Sequence, residues 1–323
     1  RVGGVAVSMT RSTVSGNVAD GNDANGGGIA AGQGAVVAVN STVSQNRVAG
    51  DGGGVFSAST SSDQHQLMFT TIAGNTSDGA GGGLSLGTGS EGSLVIHNSI
   101  VATNVNRDGA PDLALSRVLG TASIRGTLIG DNTGTSLDES QTPDQLGNLV
   151  GAPSPGGGLI DPRLGSLDVH GGATASHSLL PGSPAINRAD TSLLGQIQTD
   201  QRGLPFSRVF GQAPDMGAHE LQRLDEGFFL VTTEIDEIDL SNSVTSLREA
   251  IVLAGGSAGE ETIQFEPGLF SQPKTIDLRL GEFTVVDSLK IQGPGRDLVT
   301  IDAGDRSRIF HVTGEGTDFE IDG

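Results

Sequence analysis

Along residues 1–105 the apolar positions fall in short bursts led by Val, Ile or Leu and bounded by Gly, Asn, Asp and Ser, with no sustained 3.6-residue stripe. Bursts of this kind predict short strands joined by tight turns. They also recur. STVSGN (12–17), STVSQN (41–46), TTIAGN (70–75) and SIVATN (99–104) end on Asn17, Asn46, Asn75 and Asn104, each 29 residues after the one before. A second phrase runs between them: GGGI (26–29), GGGV (52–55) and GGGL (81–84), with a looser GGV at 3–5. A fixed period of this size means one unit stacked on itself. Two or three short strands per unit predict an all-β fold, a right-handed parallel β-helix or solenoid whose coils rise by one strand spacing of about 4.8 Å.

Stacking makes equivalent positions into columns. Val14, Val43, Ile72 and Val101 are expected to face inward, as β-branched residues on a half-buried pleated surface. The four asparagines are expected to form a structural amide ladder at a turn. Asn tolerates left-handed backbone, and stacked amides hydrogen-bond along the axis. The triple glycines read as backbone corners. A phosphate loop ends in Gly-Lys-Ser/Thr, and this chain has no lysine before Lys274.

After Asn104 the phrase decays, but TLIGDNTG (127–134), GLIDPRLG (158–165) and HSLLPGSPAIN (177–187) still pair apolar runs with turn residues. Terminal repeats of solenoids depart from the consensus because they close the core. The weakly periodic stretch 188–220, with TDQRG and APDMGAHE, is accordingly expected to be a closing cap. Within it Asp200 and Arg202 are candidates for an ion pair, and Asp215 and Glu220 are candidate partners for Arg188, Arg202 or Arg208.

The order NSIVATN, LIGDNTG, IDPRLG, HGGATASHSLLPGSPAIN, TDQRGLP and PDMGAHE over residues 98–220 resembles the choice-of-anchor Q region of bacterial surface proteins. Two positions depart from that pattern, Asn187 where the family has Asp and His219 where it has an aromatic. The upstream repeats are similar to the β-helix repeats of polymorphic outer-membrane proteins and autotransporter-like passengers. The resemblance implies a protein exported to the bacterial cell surface or outer membrane, its signal and anchor outside this chain. It brings no catalytic residues with it.

A second unit is expected beyond a junction at 221–240. SLREAIVLA (246–254) has the only strong helix signature, with Ser246 as N-cap, Glu249 as its capping-box partner and Gly255–Gly256 as the stop. SLREAI resembles the CSLREA-type motif that opens β-helices of this class, with Thr245 in place of the Cys. The helix would cover the open edge of a first coil. Ile291, Ile301, Phe310 and Ile321, spaced 10, 9 and 11 residues, fit one strand per side of a three-sided coil. Residues 1–220 thus read as the later part of one β-helix with its cap, and 241–323 as the start of another, the order expected of a window on a tandem array.

Composition narrows the function. The chain has 323 residues, no Cys, Trp or Tyr, 51 Gly and a net charge of −20. Disulfides, thiolate metal sites and Cys nucleophiles are excluded. Clustered Lys/Arg for nucleic acid is lacking, and no apolar run reaches the length of a membrane-spanning helix. An inverting glycosidase needs two carboxylates about 6.5–9.5 Å apart, and polysaccharide lyases want Lys or Arg beside acidic sugars. No Asp-Asp, Gly-His-Gly or Arg-Ile-Lys signature is present, and residues 1–220 hold ten arginines against eighteen acidic residues and no lysine. Asp20, Asn22 and Asp23 in DGNDANGG suggest calcium, although the EF-hand pattern fails at Ala24. The six histidines are scattered and HExxH is absent.

The sequence therefore points to a non-enzymatic, secreted or surface-displayed β-helical protein, an adhesin, stalk or surface-layer element built of tandem units. It needs no cofactor, and its partner is an extracellular or cell-surface ligand, with polysaccharide among the candidates. A β-helix polysaccharide lyase or glycoside hydrolase is the alternative, and a calcium-dependent carbohydrate-binding module the second. Oligomeric state and ligand are not legible.

Overall fold

The computed structural model describes all residues except 1–4, 22–23, 33, 59–63, 88–91, 108, 110, 116–121, 154–157, 181, 205, 211, 223–227, 240–243, 256–260 and 315. It is a parallel β-solenoid of about nine stacked turns with a single α-helix among the described residues. The chain divides into two compact units. One comprises residues 1–168, 174–201 and 208–221; the other comprises 169–173, 202–207 and 222–323.

The first unit has three strand columns. The longest sheet stacks Val5–Thr10 and Thr13–Ser15 on Ala35–Ser44, then Gln64–Ala73, then Ser93–His97 with Ile100–Ala102, and onward to Leu149–Val150. A second column stacks Ile29–Ala31, Val55–Ser57, Leu84–Leu86 and Leu113–Ala114. A third stacks Val18–Ala19, Arg47–Val48, Thr76–Ser77 and Val105–Asn106. Every pairing in the three columns is parallel, and the register shifts once, between Val5 and Val7 against Ala35–Ser44. Val14, Val43, Ile72, Val101, Ile129 and Val150 therefore form one column. Ile29, Val55, Leu84 and Leu113 form another. Together they build the inner core, in which Val43, Ile72, Val101 and Ile129 are at most 1 % exposed. At about 25 cal/mol per Å² of apolar surface removed from water, each such side chain contributes roughly 1.5–3 kcal/mol.

The corners explain the polar spacing. Arg11, Asn40, Phe69 and Asn98 have φ between 44° and 52°, and Gly126 has 56°, so the long sheet bends once per coil through a left-handed residue. Gly16, Gln45, Gly74 and Thr103 make a second left-handed column, immediately before the asparagines. Glycine is obligatory where coils touch. A Cβ on Gly53 would lie 2.4 Å from the Gly82 carbonyl oxygen, and one on Gly54 would lie 3.0 Å from Asn75 Nδ2.

The first unit also has a core outside the coil. Phe69, Ile100, Leu128 and Leu149 point away from the inner core and are covered by Ile160, Leu179, Ala185, Ala189 and Met216. Polar bonds follow the same flank. Thr13 Oγ1 bonds the Ala175 carbonyl, Thr42 Oγ1 donates to Gln201 Oε1 at 2.6 Å, and Ala218 N donates to Thr71 Oγ1 at 3.0 Å. Asn98 exchanges two hydrogen bonds with the backbone of Asp190, whose carboxylate meets Arg125 at 2.8 Å. Asp190, Gln201 and Ala218 of the stretch expected as a closing cap, and Ala175 before it, thus bond the side of successive coils. The reason lies in the Thr13, Thr42 and Thr71 hydroxyls and the apolar Ile100 and Leu128, which present a mixed outer face that water alone would leave half satisfied.

In the second unit, Phe228–Val231, Glu261–Phe265, Leu289–Gln292 and Phe319–Asp322 form one column, Lys274–Asp277 and Val299–Asp302 a second, and Phe283–Val285 and Phe310–Val312 a third. Ile291 stacks between Ile263 and Ile321, Ile301 on Ile276, and Phe310 on Phe283. The helix Leu247–Ala254 begins after Ser246, whose side chain accepts from Glu249 N while Glu249 reaches back to Ser246 N. Its Leu247, Ala250, Ile251 and Ala254 join Phe229, Ile263 and Phe283 in the core. Among the described residues no helix is long and apolar enough to cross a membrane.

Candidate functional site

Asn17, Asn46, Asn75 and Asn104, and Asp200, Asp215 and Glu220, lie in polar arrays within or against the coils. Asn17, Asn46, Asn75 and Asn104 form a continuous ladder. Asn17 Nδ2 donates to Asn46 Oδ1 at 2.8 Å, Asn46 to Asn75 at 2.9 Å and Asn75 to Asn104 at 2.9 Å. The backbone N–H of each rung donates to the same acceptor. Each inner amide also donates back to a carbonyl of the preceding coil: Val14, Val43 and Ile72. From rung to rung each asparagine donates to the next coil's Oδ1, so the last rung needs an acceptor. Asp112 supplies it, with Oδ1 taking Asn104 Nδ2 at 2.9 Å and Asn104 N at 3.2 Å, while Oδ2 takes Asp131 N at 2.7 Å. Burial pushes the Asp112 carboxyl up to about 7 against the pull of these donors.

A parallel hydroxyl ladder occupies the residue after each left-handed corner. Ser12 N donates to Ser41 Oγ, Thr70 N to Ser99 Oγ, Ser99 N to Thr127 Oγ1, and Thr127 N to Asn148 Oδ1. Sequence reading took these positions only as strand residues. Their signal was Ser or Thr at 12, 41, 70 and 99, the same 29-residue step as the asparagines.

The flank segment is held by a buried charged centre. Arg208 and Glu220 have fully buried side chains and meet at 2.8 Å. Glu220 also accepts from Asp215 N and Phe210 N, each at 2.8 Å. Asp215 accepts from Asn187 N and Leu221 N, and Asp200 accepts from Glu220 N. The Arg208 guanidinium stacks on the Phe69 ring, 4.5 Å from its centroid. Among the partners considered for Glu220, Arg208 stands at ion-pair distance. Asp215 bonds backbone N–H groups, and the Arg202 guanidinium lies 3.8 Å over the Phe206 ring. Burial pushes Glu220 up to about 8, with Arg208 opposing, and Asp215 up to about 6, with the Asn187 and Leu221 amides opposing.

Histidines serve the same network. His177 Nε2 meets Ser44 Oγ at 2.8 Å while its Nδ1 meets the Gly165 carbonyl oxygen, and His219 Nδ1 meets Ser176 Oγ at 3.0 Å. The Ser44–His177 pair has the spacing of a nucleophile and its base, but Ser44 is fully buried and no solute reaches it in this conformation. Of the calcium candidates, Asn22 and Asp23 lie outside the described residues. Asp20 is exposed and 3.9 Å from Arg47 Nε. Among the described residues, no three His, Asp or Glu side chains gather as metal ligands would.

In the second unit Arg248, from SLREA, is clamped by Asp236: Nε to Oδ1 at 2.7 Å and Nη2 to Oδ2 at 3.1 Å. It also donates to the carbonyls of Gly281 and Glu282. Burial raises the Asp236 carboxyl, and Arg248 with the Leu280 and Arg279 amides more than offsets this, leaving it below its ordinary value. Asp236 was not singled out in the sequence, where it is one of four acids in TEIDEID.

Comparison with protein-family models, curated proteins and solved structures returns no match to this chain. What the arrays can do is therefore read from their own chemistry. The shifted carboxyls are spent on backbone amides and on Arg208 inside the fold. They fix coils to one another and to the flank segment.

Proposed function

We propose that the chain is a non-enzymatic β-helical element displayed outside the cell, a stalk, adhesin or surface-layer component that presents loops from its coils. The observation that carries this reading is the fate of its acids: the carboxyls raised most, Asp112, Asp215 and Glu220, have their oxygens turned to N–H donors within the fold. A hydrolase or lyase instead needs such a group open to substrate. The absence of Trp and Tyr removes the usual sugar-stacking platforms. The motifs of 98–220 that resemble the choice-of-anchor Q region, and SLREA at the start of the second unit, support a place at a bacterial surface. The flank segment would then hold the coils, and the helix would cover the first coil of the second unit. Incubation with pectin, alginate and related polysaccharides, with and without calcium, is expected to release no new reducing ends or unsaturated products. Release of product would overturn the proposal.

A further inference from the structure

The amide ladder stops at Asn104 although the sequence offers a fifth asparagine. Ile129 pairs with Val101, and Asn132 stands three residues after Ile129 as Asn104 stands three after Val101. By register Asn132 is the next rung. It does not take that place: its Nδ2 donates to the Leu137 carbonyl at 2.7 Å, and its backbone N–H bonds the Gly151 carbonyl.

The cause is visible in the neighbouring column. Leu84 pairs with Val55 and with Leu113, so Gly28, Gly54, Gly83 and Asp112 are equivalent positions. In three coils this position is glycine, and a Cβ there would lie 2.8–3.0 Å from Nδ2 of the asparagine that fills the gap: Asn46 at Gly28, Asn75 at Gly54 and Asn104 at Gly83. In the fourth coil Asp112 occupies the glycine position, and its own side chain fills the gap. Its Oδ1 then accepts both Asn104 donors, the bonds that Asn46 gives Asn17. Gly130 stands where earlier coils have Ala73 and Ala102, and a Cβ on Gly130 would lie 2.8 Å from Ala102 Cβ and 3.0 Å from Asp112 Oδ2.

We propose that Asp112 is a conformational stop: its carboxylate occupies the slot of a fifth rung, and emptying that slot lets Asn132 enter it and extend the ladder by one coil. The element has two discrete arrangements, with either Asp112 or Asn132 above Asn104.

The test uses the full chain with 15N-labelled asparagine and follows side-chain amide exchange. In the native chain, Asn132→Ala is expected to leave Asn104 protection within about twofold. In an Asp112→Gly background, Asn132 is expected to gain protection over its native bond to Leu137, and adding Asn132→Ala should then cut Asn104 protection by about tenfold, the size of one net hydrogen bond. Asp112→Asn keeps the slot filled and an acceptor over Asn104, so it should preserve Asn104 protection and leave Asn132 at its native level. Equal effects of Asn132→Ala in both backgrounds would overturn the proposal. So would an Asp112→Gly chain that fails to fold while Asp112→Asn folds, because Asn132 would then not be filling the vacated slot.

Discussion

Truncating one rung of the asparagine ladder should cost far more inside the stack than at its exposed end. Asn75 is fully buried. Its Oδ1 accepts from Asn46 N at 3.0 Å and Asn46 Nδ2 at 2.9 Å, and its Nδ2 donates to Asn104 Oδ1 and to the Val43 and Ala73 carbonyls. In Asn75→Ala the Asn46 backbone N–H loses this acceptor in a site without water, at about 1–3 kcal/mol, and several further bonds are lost at about 0.5–1.5 kcal/mol each. The sum is about 4 kcal/mol. Asn17 is exposed and donates only to Asn46 Oδ1 and Ser15 O through its side chain. Asn46 Oδ1 keeps the Asn17 backbone donor, and water replaces the rest, so Asn17→Ala should cost about 1 kcal/mol or less. The difference, about 3 kcal/mol, is roughly a 150-fold change in the unfolding constant. Urea titration followed by circular dichroism reads it directly. Equal costs for the two variants would refute the view that buried amide satisfaction, and not asparagine's turn preference alone, holds the coils.

Protonation should act oppositely on Asp112 and Asp236. Asp112 is raised from 3.8 to about 7, so its contribution is full below about pH 4 and is lost as pH rises through about 7; Asp112→Asn should flatten part of the loss of first-unit stability between about pH 4 and 7, and an unchanged slope would count against this. Asp236 is lowered, so its contribution is present above about pH 4 and is lost as pH falls through the folded value; acid titration monitored by amide exchange should open the second unit's strands before the first's. Arg248→Ala strands the buried Asp236 and should cost about 3–5 kcal/mol, whereas Ser246→Ala removes one capping bond and should cost about 1 kcal/mol; thermal unfolding ranks the two, and the reverse order would be wrong for this geometry. Arg208→Met, which leaves Glu220 buried without its cation, should likewise cost about 3–5 kcal/mol, read as lost exchange protection along 174–221.

The coil was legible because its rules are local and repeated. Asn17, Asn46, Asn75 and Asn104 each meet the same corner at the same step, and Ser246 with Glu249 forms its capping box within one helical turn. What escaped was singular. Asp112 sits at a glycine position in the one coil where the phrase is breaking down, so no periodic signal marks it. The flank bonds join residues 65–188 apart, such as Arg125 to Asp190 and Thr13 to Gln201, and no local pattern pairs them. Arg248 was read as a helix residue, and its partner Asp236 was one acid among several until the fold brought Oδ1 and Oδ2 to the guanidinium.

The flank segment gives the first unit a mechanical character. In a solenoid the bonds between coils lie along the axis, so a pull on its ends loads them in series and the weakest junction yields first. Residues 174–201 and 208–221 run beside that series and fasten to Thr13, Thr42, Thr71, Asn98 and Arg125, one anchor on each of five successive coils. They act as a tie rod in parallel with the stack. Extension of any single junction must stretch the rod as well, which shares the load across the coils and resists peeling from either end.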